Sequence, residues 1–319
     1  MYTRREFGAL SAMALGGLAL PRRLAAQIDS TVGGVKIGVQ TYSFRALPRS
    51  VAIVEHDRTA VWPPGEDQSE AIIQAMIRCR IGDCELWSPM LEPVSGVGRD
   101  ASPDARRQAR DELRRWRVET PLSHFEAIRD RFTAAGLTIY GFNYSFNDSF
   151  SDDEIDRGFE IARALGAEII TASSTLSAMK RVVPFAARHQ MVVAVHNHSN
   201  ISDPNEFARP ESFAAAMALS PYVKVNLDIG HFTAANYDPV AYLREHHASI
   251  SNLHLKDRRR DQGANVPWGT GDTPIREVLQ LLQRERWPIR AHVEYEYRGS
   301  GSPVDEVIRC YNYVKQALV

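Results

Sequence analysis

Short runs rich in β-branched residues alternate with longer amphipathic stretches eight times along this chain, and no other feature narrows the choice of fold as much. The strand-like runs fall at 36–42, 83–87, 138–144, 168–172, 191–198, 223–228, 250–256 and 289–295. Helix-period stretches follow them at 69–79, 121–135, 152–165, 176–189, 205–219, 239–245, 274–286 and 304–318. Strand, crossover helix and parallel strand form the unit that such alternation builds. Eight of them predict closure into one α/β domain, a (β/α)8 TIM barrel, rather than an open sheet. A barrel takes about 250 residues; the 319 present, 44% of them hydrophobic, supply that and a large core.

Local signals agree with this division. Gly136, Gly166 and Gly82 stand where a helix end needs a left-handed residue, and Asp152, Asp203 and Ser69 where N-caps are needed. The loops at 43–68 and 88–120 are far longer than usual and are expected over the catalytic face. The second includes 105–119, with Arg106, Arg107, Arg110, Arg114, Arg115 and Arg117. A solvated surface helix is the simplest account, and recognition of an acidic or phosphorylated substrate the alternative.

Residues 1–26 read as an export signal, leaving 27–319 for the barrel. Charged 3–6 lead into apolar 8–20, then Pro21 and Leu24-Ala25-Ala26 suggest cleavage. Arg4-Arg5 followed by Phe7 resembles the twin-arginine signal, with a general secretory signal as the alternative. The apolar run is too short for a stable membrane anchor, so the mature protein is expected to be periplasmic or extracellular. A net charge of −1 without a basic run argues against a nucleic-acid partner. Cys79, Cys84 and Cys310 are too few for a disulfide scaffold. Closure would make the first and last helices neighbours, so a Cys79–Cys310 bridge is conceivable.

The chemistry collects at the ends of the last four strands, where the βα loops of a barrel meet. These read His196-Asn197-His198, Asn226-Leu227-Asp228, His254-Leu255-Lys256 and His292-Val293-Glu294-Tyr295-Glu296. Alternation places His196 with His198, His254 with Lys256, and His292 with Glu294 and Glu296 on single faces. Turned inward, these groups converge, and buried convergent acids and imidazoles are costly without a cation. A mixed N/O set suits Mn, Co, Zn, Fe or Ni better than Mg.

These residues, with Asp228-x-x-His231, His254-x-Lys256-Asp257, the 266–272 loop and the 36–42 strand, resemble the xylose-isomerase-like TIM barrels. That family includes sugar phosphate isomerases/epimerases, ketose 3-epimerases, inosose dehydratases and, more distantly, endonuclease IV. The resemblance implies a divalent metal held by His196, Asp228, His254 and Glu294. It further implies catalytic roles for Glu294, His196 and His231, and a basic substrate contact among Arg258 to Arg260, of which Arg258 is taken. One departure stands out: the family's Glu-Asn-His is His196-Asn197-His198 here, so one of two carboxylate bases is replaced by an imidazole.

Substrate-binding candidates are His198, Lys256, Arg258, Glu85, Trp268 and Asn143, with Tyr42 a weaker one. Glu85 shares a strand face with Trp87, and pairing with a basic side chain is its alternative role. Trp268 either stacks on a sugar or packs its loop. His124, His189, His246 and His247 are expected as solvated surface residues. The function expected is metal-dependent sugar isomerisation or epimerisation of a polyhydroxy carbonyl compound by an enzyme that could form a homo-oligomer. The alternatives are a one-base lyase or hydrolase of oxidised (3-keto) glycosides and a non-catalytic carbohydrate-binding barrel.

Overall fold

The computed structural model describes residues 25–47, 67–94, 97–98 and 100–319, and the backbone alone of 52–55 and 58–61. Of the expected export signal, residues 1–24 lie outside the described residues. Ala25 donates its N–H to Ala134 O at 3.1 Å, so the chain already touches the barrel there.

Eight parallel strands close on themselves. They are β1 (Val35–Gln40), β2 (Asp83–Trp87), β3 (Thr138–Asn143), β4 (Ile169–Ser173), β5 (Val192–His196), β6 (Val223–Asp228), β7 (Ile250–Leu255) and β8 (Arg290–Val293). Each pairs with its sequence neighbours, and the pairing of β1 with β2 on one side and β8 on the other completes the ring. The single-domain TIM barrel expected from the repeat is therefore what the chain forms. A short antiparallel strand, Thr31–Val32, pairs with the start of β1, and Ala52–Glu55 with Arg58–Val61 makes a hairpin in the first long loop.

The helices are α1 (Ser69–Cys79), α2 (Pro103–Glu119), α3 (Leu122–Ala134), α4 (Asp152–Ala164), α5 (Leu176–His189), α6 (Pro210–Met217), α7 (Ile229–Ala234), α8 (Pro239–His246), α9 (Ile275–Glu285) and α10 (Pro303–Leu318). Outward residues such as Ile37, Val39, Ile170, Val195, Leu227, Leu253 and Val293 meet the apolar helix faces in one continuous core. Burying one such side chain contributes about 1.5–3 kcal/mol, so this layer fixes the closed shape. Inward, the barrel departs from the aliphatic filling usual for the fold. Tyr140, Ile169 and Ala194 form a small apolar plug, and polar groups fill the space above it.

Several local expectations need correction. α4 is capped by Ser151, whose side chain and Glu154 form a capping box, not by Asp152. Before α1 the cap position is Gln68, while Asp67 Oδ1 accepts from Ser69 N at 2.8 Å. α6 starts at Pro210, not near Asp203, because proline suits the first turn and holds Arg209 extended. Gly136 and Gly166 do adopt positive φ, 74° and 73°. Gly82 does not: Arg80 takes the left-handed position, and Gly82 is small because a Cβ would overlap Ile28 O.

The arginine-rich stretch is helix α2, with no fully buried residue. Arg117 nevertheless bridges Glu92 at 2.9 Å and Glu154 at 3.2 Å, and Arg114 joins Glu154 at 2.9 Å, so these two arginines fasten the helix to the barrel. The cysteines are free and buried, which removes the Cys79–Cys310 bridge: Cys79 Sγ faces Val304 O and Cys310 Sγ the Tyr297 hydroxyl. His189 stacks on Phe159 and pairs with Asp156, and His247 stacks on Trp287, so neither is simply solvated. His124 is half-buried beside Trp116, whereas His246 packs on Tyr242 with Glu245 3.8 Å away.

Candidate metal centre and active site

Strand ends β5 to β8 bring His196, Asp228, His254 and Glu294 together, each offering one donor atom within 4.8 Å of the others. Register does this: His254 lies level with Asp228 on one side and with His292 on the other, two residues below Glu294. His196 Nε2 stands 3.4 Å from Asp228 Oδ2, and His254 Nδ1 3.1 Å from Glu294 Oε2. All four atoms are buried, and none makes a hydrogen bond of proper geometry. Buried polar atoms are normally satisfied. Four facing unsatisfied donors of N2O2 type fit a divalent ion, so the cluster could hold one.

The remaining atoms of these side chains are committed elsewhere, which aims the free ones. Asp228 Oδ1 accepts from His231 N at 2.7 Å and caps α7, leaving Oδ2 to the cluster. His196 Nδ1 meets Ser173 Oγ at 3.1 Å. His254 Nε2 meets Glu85 Oε2 at 2.8 Å. Second groups that hold a ligating imidazole in this way set its tautomer and orientation.

Glu85 was expected to reach the substrate; it is instead fully buried a layer below the cluster. Its oxygens accept from Gln40, from Asn143 Nδ2 at 3.1 Å, Thr171 Oγ1 at 2.7 Å and Asn252 Nδ2 at 2.9 Å. Burial alone would raise its pKa, but His254 and His292 hold it well below the usual carboxylate range. Asn226, Asn252, Thr171 and His292 of this layer were not singled out as site residues. Their signal was nonetheless present: each sits two positions before a strand-end polar residue, at the same inward face.

A cavity of about 260 Å³ opens above the cluster. Among the expected substrate contacts, His198, Lys256 and Asn143 line it, with His231 and Tyr42; Trp87, Ser145 and Ser173 complete that wall. Besides Glu85, two expected contacts do not line it. Arg258 is held beneath the rim, bonding Ser199 Oγ at 3.0 Å, His231 Nδ1 at 2.6 Å and Gly263 O. Trp268 packs edge-on against Tyr313, 6.0 Å between ring centres, beside a different cavity near α10. Packing its loop is thus its role in this structure.

Lys256 Nζ lies 3.1 Å from Asp228 Oδ2, 3.0 Å from Glu294 Oε2 and 2.6 Å from Glu296 Oε2. Burial opposes its charge, yet these three carboxylates raise its pKa. Burial, then Lys256, pushes the His231 pKa well down, and burial with His196 and Lys256 lowers that of His198 to about 4. Both imidazoles are therefore neutral near pH 7. Both ring nitrogens of His231 face cationic donors, Nδ1 the Arg258 guanidinium at 2.6 Å and Nε2 the Lys256 ammonium at 3.2 Å.

Comparison with known proteins agrees with this architecture. The family model described as xylose isomerase-like TIM barrel matches residues 98–312. No curated protein matches the sequence. Among solved structures, a sugar phosphate isomerase/epimerase from Parabacteroides distasonis is similar over 93% of this chain and 99% of its own, at 15% identity and TM-score 0.56. A probable 3-DHS dehydratase involved in petrobactin synthesis, from Bacillus anthracis, matches over 88% and 99%, at 14% identity and TM-score 0.58. The 3-keto-D-glucoside 4-epimerase of E. coli matches over 88% and 99%, at 13% identity and TM-score 0.56. Likeness at these identities speaks for the fold alone.

Proposed function

The chain belongs to the xylose isomerase-like TIM barrel family, and we propose that it is a divalent-metal-dependent enzyme that moves a proton next to the carbonyl of a small polyhydroxy compound, as a sugar isomerase or epimerase does. The observation that carries this reading is the set of four unsatisfied, mutually facing donors on His196, Asp228, His254 and Glu294. A divalent ion there would polarise a carbonyl and its neighbouring hydroxyl. Glu294, which lines the cavity, is ionised: burial opposes this, but Lys256 and His254 hold its pKa at about 2 in the metal-free protein. It can therefore accept the proton. Lys256 and His231 both line the cavity, with Lys256 Nζ 3.2 Å from His231 Nε2, so the ammonium would stand where negative charge develops and His231 would help to place it.

A second reading, cleavage or elimination of an oxidised glycoside with one base, has one specific support. His196 spends Nδ1 on Ser173 and turns Nε2 to the cluster, so it offers no free base on its side. We also propose that residues 1–26 direct export, which replacing Arg4 and Arg5 by lysine should block if the route is the twin-arginine one.

Elemental analysis of the purified protein, followed by incubation of ketoses and 3-keto-glycosides in D2O, tests the main reading. Bound transition metal and deuterium uptake beside the carbonyl are expected for isomerisation or epimerisation; product release without uptake points to cleavage. Failure to retain metal after reloading would overturn both.

A further inference from the structure

We infer that the cavity takes an uncharged sugar unit of about one ring, without a phosphate group. The inference rests on the sugar-enzyme reading above and narrows its substrate class. At about 260 Å³ the cavity falls below the ~300–1,000 Å³ of pockets for drug-sized ligands, which suits one ring.

The side of the cavity away from Lys256, Glu294 and Glu296 is uncharged and partly apolar. Tyr42 and Trp87 meet at 88° with ring centres 4.8 Å apart, and both rings line the cavity. Arg45 lies over the Tyr42 ring at 4.2 Å, which leaves Trp87 as the ring to receive the C–H side of a sugar, burying apolar surface at little entropic cost. Around them stand uncharged hydrogen-bonding groups, Asn143, Ser145 and Ser173. Asn143 uses its Nδ2 on Glu85 and Thr171, which leaves its carbonyl oxygen as an acceptor for a hydroxyl.

The places where a barrel usually grips phosphate are filled from within. Such sites are made by backbone N–H groups of the loops after the seventh and eighth strands. After β7, the Asp257 carboxylate accepts from Gly269 N at 2.8 Å, Gly271 N at 2.9 Å and Thr273 N at 3.3 Å. After β8, Glu306 Oε1 accepts from Gly301 N at 2.7 Å. An internal carboxylate thus holds each position that a phosphate would need. The described cations around the mouth are engaged too. Lys256 serves three carboxylates, Arg258 serves His231 and Gly263 O, and Arg45 serves the carbonyls of Tyr42 and Tyr295. A phosphate dianion entering here would meet the carboxylates of Glu294 and Glu296, while the described cations nearby already have their N–H groups engaged.

Calorimetric titration of the Mn-loaded full chain with a ketohexose, its phosphate ester and inorganic phosphate tests the inference. The free ketose should bind, its ester about tenfold or more weaker, and inorganic phosphate not at all at millimolar concentration. Trp87→Ala should weaken ketose binding by about tenfold while metal content stays unchanged, and Trp87→Phe should keep most of the affinity. An ester that binds as tightly as the ketose, saturable phosphate binding, or unchanged affinity in Trp87→Ala would overturn the inference and leave the metal-enzyme reading standing. If neither sugar form bound to protein proven to carry metal, the sugar-enzyme reading itself would fall, and this inference with it.

Discussion

Glu85 and His254, 169 residues apart in sequence, meet inside the barrel with Oε2 2.8 Å from Nε2. That contact turns His254 Nδ1 toward Glu294, Asp228 and His196, so a carboxylate on the second strand sets how a histidine on the seventh can ligate. Glu85→Gln should therefore lower metal affinity by about 10–100-fold. It should also cost about 1–3 kcal/mol of stability, because a new amide N–H₂ would face the donors of Asn226 and Asn252. Chelator competition and thermal melts measure the two effects separately. Unchanged affinity would show that Glu85 does not position His254.

Asp228 has two jobs on two oxygens, and substitution can separate them. Asp228→Ala should lose the metal and also the cap on α7, worth about 1 kcal/mol. Asp228→Asn should lose most metal affinity yet keep the cap, since asparagine caps as well as aspartate. Metal content by elemental analysis and melting temperature should thus split the pair. Full metal occupancy in both variants would remove Asp228 from the site, and His254→Ala serves as the matching control on the next strand.

His196→Glu puts a carboxylate where the family resemblance implies one. Metal preference should move toward harder ions such as Mn or Mg, and any 3-epimerase activity should rise because a second base then faces Glu294. A one-base reaction should fall or stay level. Equal epimerase rates in both forms would place His196 outside the proton path.

Metal binding should release a proton. In the metal-free protein burial would lower the pKa of His254, but Glu85 and Glu294 raise it to about 10. Near pH 7 the imidazolium must lose the Nδ1 proton before that nitrogen can ligate. Affinity should then rise with pH, by about tenfold per unit for one displaced proton, below pH 10. The sign for stability is opposite: with its folded pKa raised, His254 stabilises the metal-free fold fully below pH 6.5 and loses that contribution as pH rises toward 10. Calorimetry in buffers of different ionisation enthalpy counts the proton. A pH-independent affinity would mean His254 is already neutral before metal arrives.

The convergence of the candidate ligands was legible without coordinates because strand alternation is a hard rule. In a strand with period two, His196, Asp228, His254 and Glu294 must share a face with their neighbours two positions away, and the closed barrel offers only an inside and an outside. The ring of eight strands was legible for a similar reason, since each apolar run could be buried only between helices on both sides of the chain's next repeat. Depth along the barrel axis was not legible. Glu85 and Trp87 are indistinguishable by alternation, yet one lies beneath the cluster and the other on the cavity wall. Trp268 and Arg258 looked available in their loops, but Tyr313 on the last helix and His231 on α7 claim them. Sequence thus determined the fold, the inward faces and the candidate cluster, all of which follow from periodicity within single elements. The tertiary structure alone decided which layer each inward group occupies and which nitrogen of each histidine is engaged, because those depend on the stagger of neighbouring strands and on partners from other elements, 23 residues away for His196 and 169 for His254.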